Sequence, residues 1–410
     1  MSKYLFKNAR IVDGSAREPS EPTNVAVEGE IIKDVGPKVS FEADIIDVRG
    51  QTLMPGLIDC HVHVIAVVAG LAVNAKLPDS LVTARSIVVM RDMLNRGFTT
   101  VRDVGGADYG LKMAAAEGLF PAPRMVISGK ALSQTGGHCD FRGRFDDALP
   151  PRNQIPLGSL GRICDGVPEV RRAAREEIKG GADFIKIMAN GGIASPTDPI
   201  HFFGFSREEL DAVVEEAKSA GTYVSAHLYT DEAIRRCVDA GVHSLEHCNL
   251  IEPQTAKLAA SKGCVAVPTL VTFDKLSSEG AAYGVPEESL AKVDRVRLRG
   301  MESLSVMREA GLPMAFGTDL LGPMHRHQSE EFVIRSRVLP AHEVIATATS
   351  QAAKLLRMEG RIGVISPNAF ADLIIVDGNP LADLSLLTHQ GAHMPLIMQG
   401  GKVIRHQRQA

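Results

Sequence analysis

The chain lacks the features that mark nucleic-acid-binding and membrane-spanning proteins. Its 410 residues carry a net charge of −4, so we expect no general electrostatic attraction to nucleic acid or to anionic lipid. The longest apolar run covers residues 64–73 and is too short to cross a bilayer. We therefore expect neither a nucleic-acid partner nor a membrane partner.

Cysteines are few and form no recognisable pairs. The six cysteines include no CxxC motif, and their spacing is not that of a small disulfide-rich protein. The first seven residues, MSKYLFK, contain no apolar segment of the kind found in secretion signals. Both observations predict a reducing environment, and we expect a cytoplasmic protein.

The overall composition is that of an ordinary folded protein. Hydrophobic residues make up 45% of the chain and charged residues 23%, which excludes a disordered or fibrous chain. A chain of this length holds one large domain with a small one, or two or three domains, at the usual ~100–200 residues per domain.

One local pattern recurs through the middle of the chain: a charged helix end, a glycine, and then a short apolar run. Glycine after the last turn ends a helix, and apolar runs with little alternation are typical of parallel strands buried on both faces. Eight such strands alternating with helices over roughly 250–300 residues predict an α/β fold, the (β/α)8 TIM barrel. An open doubly wound sheet is the alternative, but its glycine-rich phosphate-binding turn is missing. The predicted strands are residues 57–64, 98–104, 125–129, 183–189, 222–228, 243–247, 264–270 and 313–318.

The two ends of the chain have a different pattern. Short alternating β segments are separated there by turns such as Asp13-Gly14 and Asp377-Gly378. Neither end is large enough to be stable alone. We expect residues 1–55 and 360–410 to form one composite β-sandwich domain beside a metal-binding catalytic barrel of residues 56–359.

Histidine and aspartate residues stand at the ends of several predicted strands. His61 and His63 end the first strand, and positions i and i+2 of a strand face the same side. His227, His247 and Asp319 end strands five, six and eight. A TIM barrel collects functional residues at the carboxyl ends of its strands, and imidazole and carboxylate suit Zn²⁺, Mn²⁺ or Fe²⁺. Together these residues predict a metal site, although an HxH pair alone is more often two solvated loop histidines.

Lys186 lies inside the fourth predicted strand, in the apolar run FIKIM. A charged lysine in such a run is costly unless it is paired or modified. One interpretation is a salt-bridged or snorkelling lysine. The other is a lysine that reacts with CO2 to form a carbamate, an anion that bridges two metal ions ~3.5–4 Å apart.

These motifs resemble the metal-dependent amidohydrolase superfamily across nearly the whole chain. Two further segments, QTGGH at 134–138 and HLYT at 227–230, are most similar to its imidazolonepropionase-related prolidases and carboxypeptidases, the Xaa-Pro dipeptidase-like subgroup. The other motifs that carry the resemblance are residues 54–63 (MPGLIDCHVH), Lys186, Glu246-His247, residues 317–319 (GTD) and residues 371–376 (ADLIIV).

The resemblance implies a site for two divalent metal ions, with zinc as the expected metal. Deaminases and imidazolonepropionases of the superfamily typically use one metal and lack the strand-four lysine, whereas hydantoinase-like, phosphotriesterase-like and prolidase-like members keep it. By this resemblance the more buried ion is held by His61, His63 and Asp319, the second ion by His227 and His247, and both by carboxylated Lys186.

The expected chemistry is hydrolysis of an amide bond. A water molecule held by such a metal has its pKa lowered toward ~7. Asp319 can accept its proton and later deliver it to the leaving amine. Tyr229 and His138 are candidates to bind the substrate and to donate hydrogen bonds to the oxyanion, although Tyr229 taken alone could be an ordinary half-buried aromatic residue.

The loop after the eighth predicted strand is a candidate for binding a substrate carboxylate. It contains His325, Arg326 and His327, and arginine pairs bidentately with carboxylates. The alternative is a solvated surface loop. Arg102 and Asp103, after the second strand, are interpreted as a structural ion pair at the rim.

We therefore expect a binuclear metal-dependent hydrolase that cleaves a dipeptide, including Xaa-Pro, or an N-acyl amino acid. Two alternatives stay open. The first is an enzyme acting on a cyclic amide, a lactone or an aryl amide, which needs no carboxylate anchor. The second is a non-catalytic metal-binding homologue. Because related enzymes are commonly oligomers, the resemblance also implies a homo-oligomer.

Overall fold

Parallel strands alternate with helices through the middle of the chain, and further strands gather from its two ends, in the computed structural model. The structure describes residues 2–146, 148–151, 154–195 and 198–407. The strands are β1 (Lys3–Ile11), β2 (Thr23–Glu28), β3 (Ile31–Gly36), β4 (Asp44–Asp47), β5 (Thr52–Pro55), β6 (Leu57–Val62), β7 (Phe98–Asp103), β8 (Arg124–Ile127), β9 (Ala131–Ser133), β10 (Gly161–Ile163), β11 (Ile185–Met188), β12 (Val224–Thr230), β13 (Ser244–Leu250), β14 (Val265–Val267), β15 (Leu373–Val376), β16 (Leu396–Gln399) and β17 (Lys402–His406).

The helices follow most of the central strands. They are α1 (Leu71–Asn74), α2 (Asp79–Asn95), α3 (Tyr109–Ala116), α4 (Gly166–Lys179), α5 (Arg207–Ser219), α6 (Asp231–Ala240), α7 (Pro253–Ser261), α8 (Leu270–Glu279), α9 (Glu287–Glu309), α10 (Glu330–Arg335), α11 (Ala341–Thr347) and α12 (Ser350–Leu355). In the part of the chain that the structure describes, none of them has both the length and the apolar character that a membrane span requires.

The two chain ends build one sheet together. Its strand order is β17-β16-β15-β5-β1-β2-β3, with β4 beside β1. The ends join where β5 pairs antiparallel with β15, Thr52 opposite Val376. Phe6, Leu53 and Leu373 are fully buried in a core that this sheet covers. The predicted domain boundaries at residues 55 and 360 stay predictions, and residues 1 and 408–410 of that predicted unit lie outside the described residues.

The central strands form two parallel sheets. One has the order β6-β7-β8, and the other has the order β10-β9-β11-β12-β13-β14. Seven of the eight predicted strands are present here, and their observed ends differ from the predicted ends by at most three residues. Most of their side chains are buried because the sheets pack against helices, as the apolar runs indicated. The fold is therefore mixed α/β.

The segment predicted as the eighth strand, residues 313–318, is not a regular strand. It forms one parallel bridge to β14, between Ala266 and Met314. Its other side reaches β6, where Cys60 donates its backbone N–H to Phe316 O at 2.7 Å. The extended backbone ends at Asp319, which adopts a left-handed φ of 54°. This segment therefore connects the two parallel sheets by hydrogen bonds, although its only regular β-bridge is the one to β14.

Helix ends agree with the local sequence signals. Ser206 begins α5 with a capping box, since its hydroxyl accepts from the Glu209 N–H and the Glu209 carboxylate accepts from the Ser206 N–H at 2.7 Å. Gly241 ends α6 in the left-handed conformation, with φ 95°. Pro286 precedes α9. Gly241 thereby ends α6 shortly before β13 begins at Ser244.

Candidate metal centre and active site

Six side chains predicted as metal ligands line one cavity at the carboxyl ends of the parallel strands. The cavity is open to solvent on one side. Five of the six are nearly completely buried, and the sixth, Asp319, keeps 20% of its side chain exposed. The residues are His61, His63, Lys186, His227, His247 and Asp319.

His61 and His63 are each held through the ring nitrogen that faces away from the cavity. Nδ1 of His61 lies 2.8 Å from Oε2 of Glu246, and Nδ1 of His63 lies 2.8 Å from the carbonyl oxygen of Gly105. Each contact leaves Nε2 free to act as a ligand, and a bond at the second nitrogen is what metal-bound histidines usually have.

The free nitrogens converge on one carboxylate oxygen. Nε2 of His61 lies 3.4 Å from Oδ1 of Asp319, and Nε2 of His63 lies 3.3 Å from the same atom. Ligands at ~2.0–2.1 Å from a tetrahedral zinc ion are separated by about 3.3 Å, so these spacings fit one ion. His61, His247 and Asp319 also offer ligand atoms that all lie within 4.8 Å of one another. The imidazole and carboxylate groups of either set could hold a divalent metal ion.

The backbone at two of these residues adopts an unusual conformation. His247 has φ 71° and Asp319 has φ 54°, in the left-handed region that costs a residue other than glycine of order 1–3 kcal/mol. At Asp319 the backbone N–H donates to His61 O at 2.8 Å. This bond ties the end of segment 313–319 to the end of β6 and so places the carboxylate beside both histidines.

His227 and His247 form the other side of the cluster, with ring centroids 4.8 Å apart. Nδ1 of His247 lies 2.7 Å from Oγ1 of Thr269. Nε2 of His227 is buried and has no hydrogen-bond partner among the described residues. Burial lowers the pKa of both rings well below the ordinary value, so both are neutral and can act as ligands. A metal ion would supply the missing partner of His227.

Lys186 lines the cavity from β11 and is 1% exposed. Within the described part of the chain, no hydrogen bond or ion pair reaches its Nζ. Burial lowers the pKa of Lys186 to about 8, although the charges of Glu246 and Asp319 act against this shift. The salt-bridged alternative for this lysine therefore has no partner in the described residues. The neutral amine is the nucleophilic form of a lysine, and a lowered pKa makes this form accessible near neutral pH.

A buried network behind His61 was not predicted from the sequence. Arg102 donates from Nη2 to Oε1 of Glu246 at 2.8 Å, and neither side chain is exposed. Ser225 and Ser244 each donate a hydroxyl hydrogen to the same oxygen at 2.6 Å. The predicted rim pair of Arg102 with Asp103 is wrong. Asp103 instead accepts backbone N–H groups, including that of Val64 at 2.7 Å.

His138 and Tyr229 lie at the same cavity as the predicted ligands. The His138 ring stacks on His227 with centroids 4.2 Å apart, and the Tyr229 ring lies 4.6 Å from it. Burial lowers the pKa of His138 to about 3 and raises that of Tyr229 well above its ordinary value. His138 is therefore neutral and Tyr229 keeps its proton, which leaves both able to donate a hydrogen bond.

The loop that was expected to bind a carboxylate does not reach this cavity. Arg326 pairs with Glu279 and donates to the hydroxyl of Tyr283 at 2.8 Å. His325 lies against the carbonyl oxygen of Ala66 at 3.1 Å, and His327 contacts Glu279 at 2.9 Å. None of the three loop residues is among the described residues that line the cavity. The 3-10 helix Gly322–His327 turns this basic run toward α8 instead.

Apolar side chains form the rest of the cavity wall. They come from different elements and surround the predicted ligands with a largely apolar wall. The apolar side chains include Leu71, Phe141, Leu160, Met188, Ile193, Phe273, Leu276, Val285 and Leu321.

Comparison with known proteins places these features in a family. Residues 52–403 match the amidohydrolase family. The chain is 31% identical to ochratoxinase of Aspergillus niger over 95% of this chain and 84% of that protein. It is 47% identical, with a TM-score of 0.97, to a prolidase solved with N-methylphosphonate-L-proline, over 99% and 100% of the two chains. A Xaa-Pro dipeptidase with bound methionine is 30% identical, with a TM-score of 0.88, over 98% and 100%.

Proposed function

This chain belongs to the amidohydrolase family and is a hydrolase, and on that basis we propose that it cleaves the amide bond of a dipeptide or an N-acyl amino acid. The observation that carries the proposal is the convergence of six potential ligands with His138 and Tyr229 in one apolar cavity. The prolidase and Xaa-Pro dipeptidase similarities support the substrate class. The similarity to ochratoxinase spans nearly the whole chain as well.

We further propose that the two parallel sheets and segment 313–319 form one closed (β/α)8 barrel. Hydrogen bonds from this segment to β14 and to β6 support the closure on one side. On the other side, Asp183 N donates to Ile127 O at 2.7 Å, which connects the end of β8 to the start of β11. A closed barrel collects the carboxyl ends of its strands at one rim, and the ligand cluster has this arrangement.

The residues of the cluster fit two divalent ions, which we expect to be zinc. His61, His63 and Asp319 would hold one ion, His227 and His247 the other, and Lys186 both. When bound, the ions activate water at neutral pH and polarise the scissile carbonyl.

Lys186 would bridge the two ions as a carbamate. Its neutral Nζ forms a bond to the carbon of CO2 and releases one proton, which leaves a carboxylate with two ligand oxygens. Lys186 is buried, its Nζ has no hydrogen-bond or ion-pair partner among the described residues, and burial lowers its pKa to about 8. These observations support this reaction.

Three side chains have proposed roles in the reaction itself. The Asp319 side chain is 20% exposed, whereas the other five proposed ligands are nearly completely buried, so its carboxylate can take the proton of the attacking water and pass it to the leaving amine. The Tyr229 hydroxyl and the His138 ring line the same cavity, beside His227. From there they can donate hydrogen bonds to the oxygen on which negative charge develops.

A substrate library tests the proposal. Enzyme supplied with Zn²⁺ is incubated with dipeptides and N-acyl amino acids, and the released C-terminal amino acid is measured. We expect release with a clear preference for certain side chains, because the apolar wall discriminates by shape. No release by folded, metal-loaded enzyme would reject the proposed substrate class, and cyclic amides, lactones and aryl amides would then be tested.

A further inference from the structure

A buried hydrogen-bonded chain runs from Asp198 through Ser195 to His138. Oγ of Ser195 lies 2.9 Å from Nδ1 of His138 and shares a hydrogen bond with Oδ1 of Asp198. Oδ2 of Asp198 accepts the backbone N–H of Gly192 at 3.0 Å. Ser195 and Asp198 are 1% and 3% exposed. We call these three side chains the Asp198–Ser195–His138 chain.

The surrounding residues fix this chain in place. Lys292 of α9 donates from Nζ to the carbonyl oxygens of Gly192 and Ser195, both at 3.0 Å. A Cβ atom at Gly192 would lie 1.7 Å from Nδ1 of His138, so only glycine lets the two approach. Gly192 therefore packs directly against the His138 ring.

The Ser195 hydroxyl has one hydrogen, so it can donate to Asp198 or to His138 but not to both. The two hydrogen bonds of the chain therefore run in the same direction. If Asp198 is ionised, Ser195 donates to it and must accept from His138, whose proton is then on Nδ1. If Asp198 is a neutral acid, it can donate to Ser195, which then donates to Nδ1, and the His138 proton is on Nε2. Neutral imidazole has one donor and one acceptor nitrogen, so Asp198 determines what His138 presents to the cavity.

We propose that Ser195 and Asp198 are positioning residues that hold the proton of His138 on Nε2, so that His138 donates to a substrate oxygen and does not accept from a substrate N–H. The identity of the acceptor as a substrate oxygen rests on the proposed function, whereas the position of the proton on His138 does not.

The surroundings of Asp198 favour its neutral form. His138, Cys139 and Tyr229 face it from the cavity side, and Lys292 faces it from α9. Lys292 is the one cationic group among these four residues, and its Nζ donates its hydrogen bonds to the carbonyl oxygens of Gly192 and Ser195. No arginine or lysine forms an ion pair with Asp198 in the described residues. Burial raises the pKa of Asp198 to about 7, with the charge of Lys292 acting in the opposite direction.

Nitrogen-15 NMR of the Zn²⁺-loaded full chain, labelled at histidine, reads the position of the proton directly. The His138 signals are assigned by their absence in His138→Gln. At pH 6 we expect the proton on Nε2, and as the pH rises through about 7 it should move to Nδ1. A proton on Nδ1 at pH 6 would overturn the proposal, whether or not any amide is cleaved.

Two variants make the test specific. In Asp198→Asn the Gly192 N–H requires the amide oxygen, so the amide nitrogen donates to Ser195 and the proton should stay on Nε2 at every pH. In Ser195→Ala the pH-dependent movement should disappear. Asp294→Asn removes the same charge from an exposed position on α9 and should behave as wild type.

Activity gives an independent reading on whichever amide the library identifies. For Asp198→Asn we expect kcat/KM within about threefold of wild type at pH 6, and a smaller decline above pH 7. A loss of 100-fold or more at pH 6, with fold and metal content intact, would show that ionised Asp198 is required and would overturn the proposal. If wild type cleaves no amide, the proposed function fails while the NMR result still decides the position of the proton.

Discussion

Oε1 of Glu246 accepts a hydrogen bond from Arg102 at 2.8 Å while Oε2 of the same carboxylate lies 2.8 Å from Nδ1 of His61. Both members of the ion pair are completely buried. A carboxylate on β13 thereby fixes the ring of a predicted metal ligand that ends β6. Partners of this kind orient metal-bound histidines and increase their basicity.

Replacing Glu246 with Gln should weaken both the fold and the metal site. Loss of one partner of a buried ion pair leaves the Arg102 charge uncompensated, which typically costs ~3–5 kcal/mol. The affinity for metal should fall about 10–100-fold. Urea unfolding and competition with a chelator measure the two effects.

Glu252→Gln is the matched control for Glu246→Gln. Glu252 pairs with Arg299, and both side chains are about half exposed, so the loss should stay below ~1 kcal/mol. Equal destabilisation by the two substitutions would contradict a special role for the buried pair.

Lys186→Ala should bind fewer than two equivalents of metal. Loss of a bridging ligand should lower kcat by more than about 100-fold, beyond the effect usual for outer partners of a metal site. Added acetate or propionate should restore part of the activity, because a small carboxylate fits the space of the missing carbamate. Elemental analysis gives the metal content. Two full equivalents together with normal kcat would rule out the carbamate.

Asp319→Asn should lower kcat by about 10²–10⁴-fold, which is the range for loss of general acid–base catalysis. The fold should survive, because asparagine tolerates the left-handed backbone that this position requires. Steady-state kinetics and thermal unfolding check the two parts, with metal content measured on the same samples. A kcat near that of wild type would exclude the proton-transfer role.

Arg326→Ala should change kcat/KM by less than about threefold. The Arg326 side chain is 44% exposed and pairs with Glu279 outside the cavity, and such a pair contributes ~0–1 kcal/mol to stability. Kinetics on a dipeptide with a free carboxylate measure the effect. A large rise in KM would mean that the loop closes over the substrate after all.

Position on a strand was enough to predict much of the cavity from the sequence. His227 and His247 each stand at the end of an apolar run after a glycine-terminated helix, and His61 stands at the end of the apolar run that follows Gly56. The parallel topology brings such ends together. Helix caps such as Ser206 could be predicted equally well, because their hydrogen bonds join residues that are close in sequence.

Contacts between distant residues could not be predicted in the same way. Arg102 and Glu246 are 144 positions apart, and no local pattern indicates that they pair. Arg326 follows the eighth predicted strand, but the direction of its side chain depends on a 3-10 helix that no pattern in the sequence predicts. Residues 313–318 have the composition of a strand, yet neighbouring segments decide that only Met314 forms a regular bridge.

Titration of metal-free enzyme with Zn²⁺, followed by the rate of amide hydrolysis, tests the central claim most directly. If the cluster from His61 to Asp319 holds two ions that both serve catalysis, the rate should rise until two equivalents are bound and then remain constant. A plateau at one equivalent, or undiminished hydrolysis by the metal-free enzyme, would contradict a binuclear amide hydrolase.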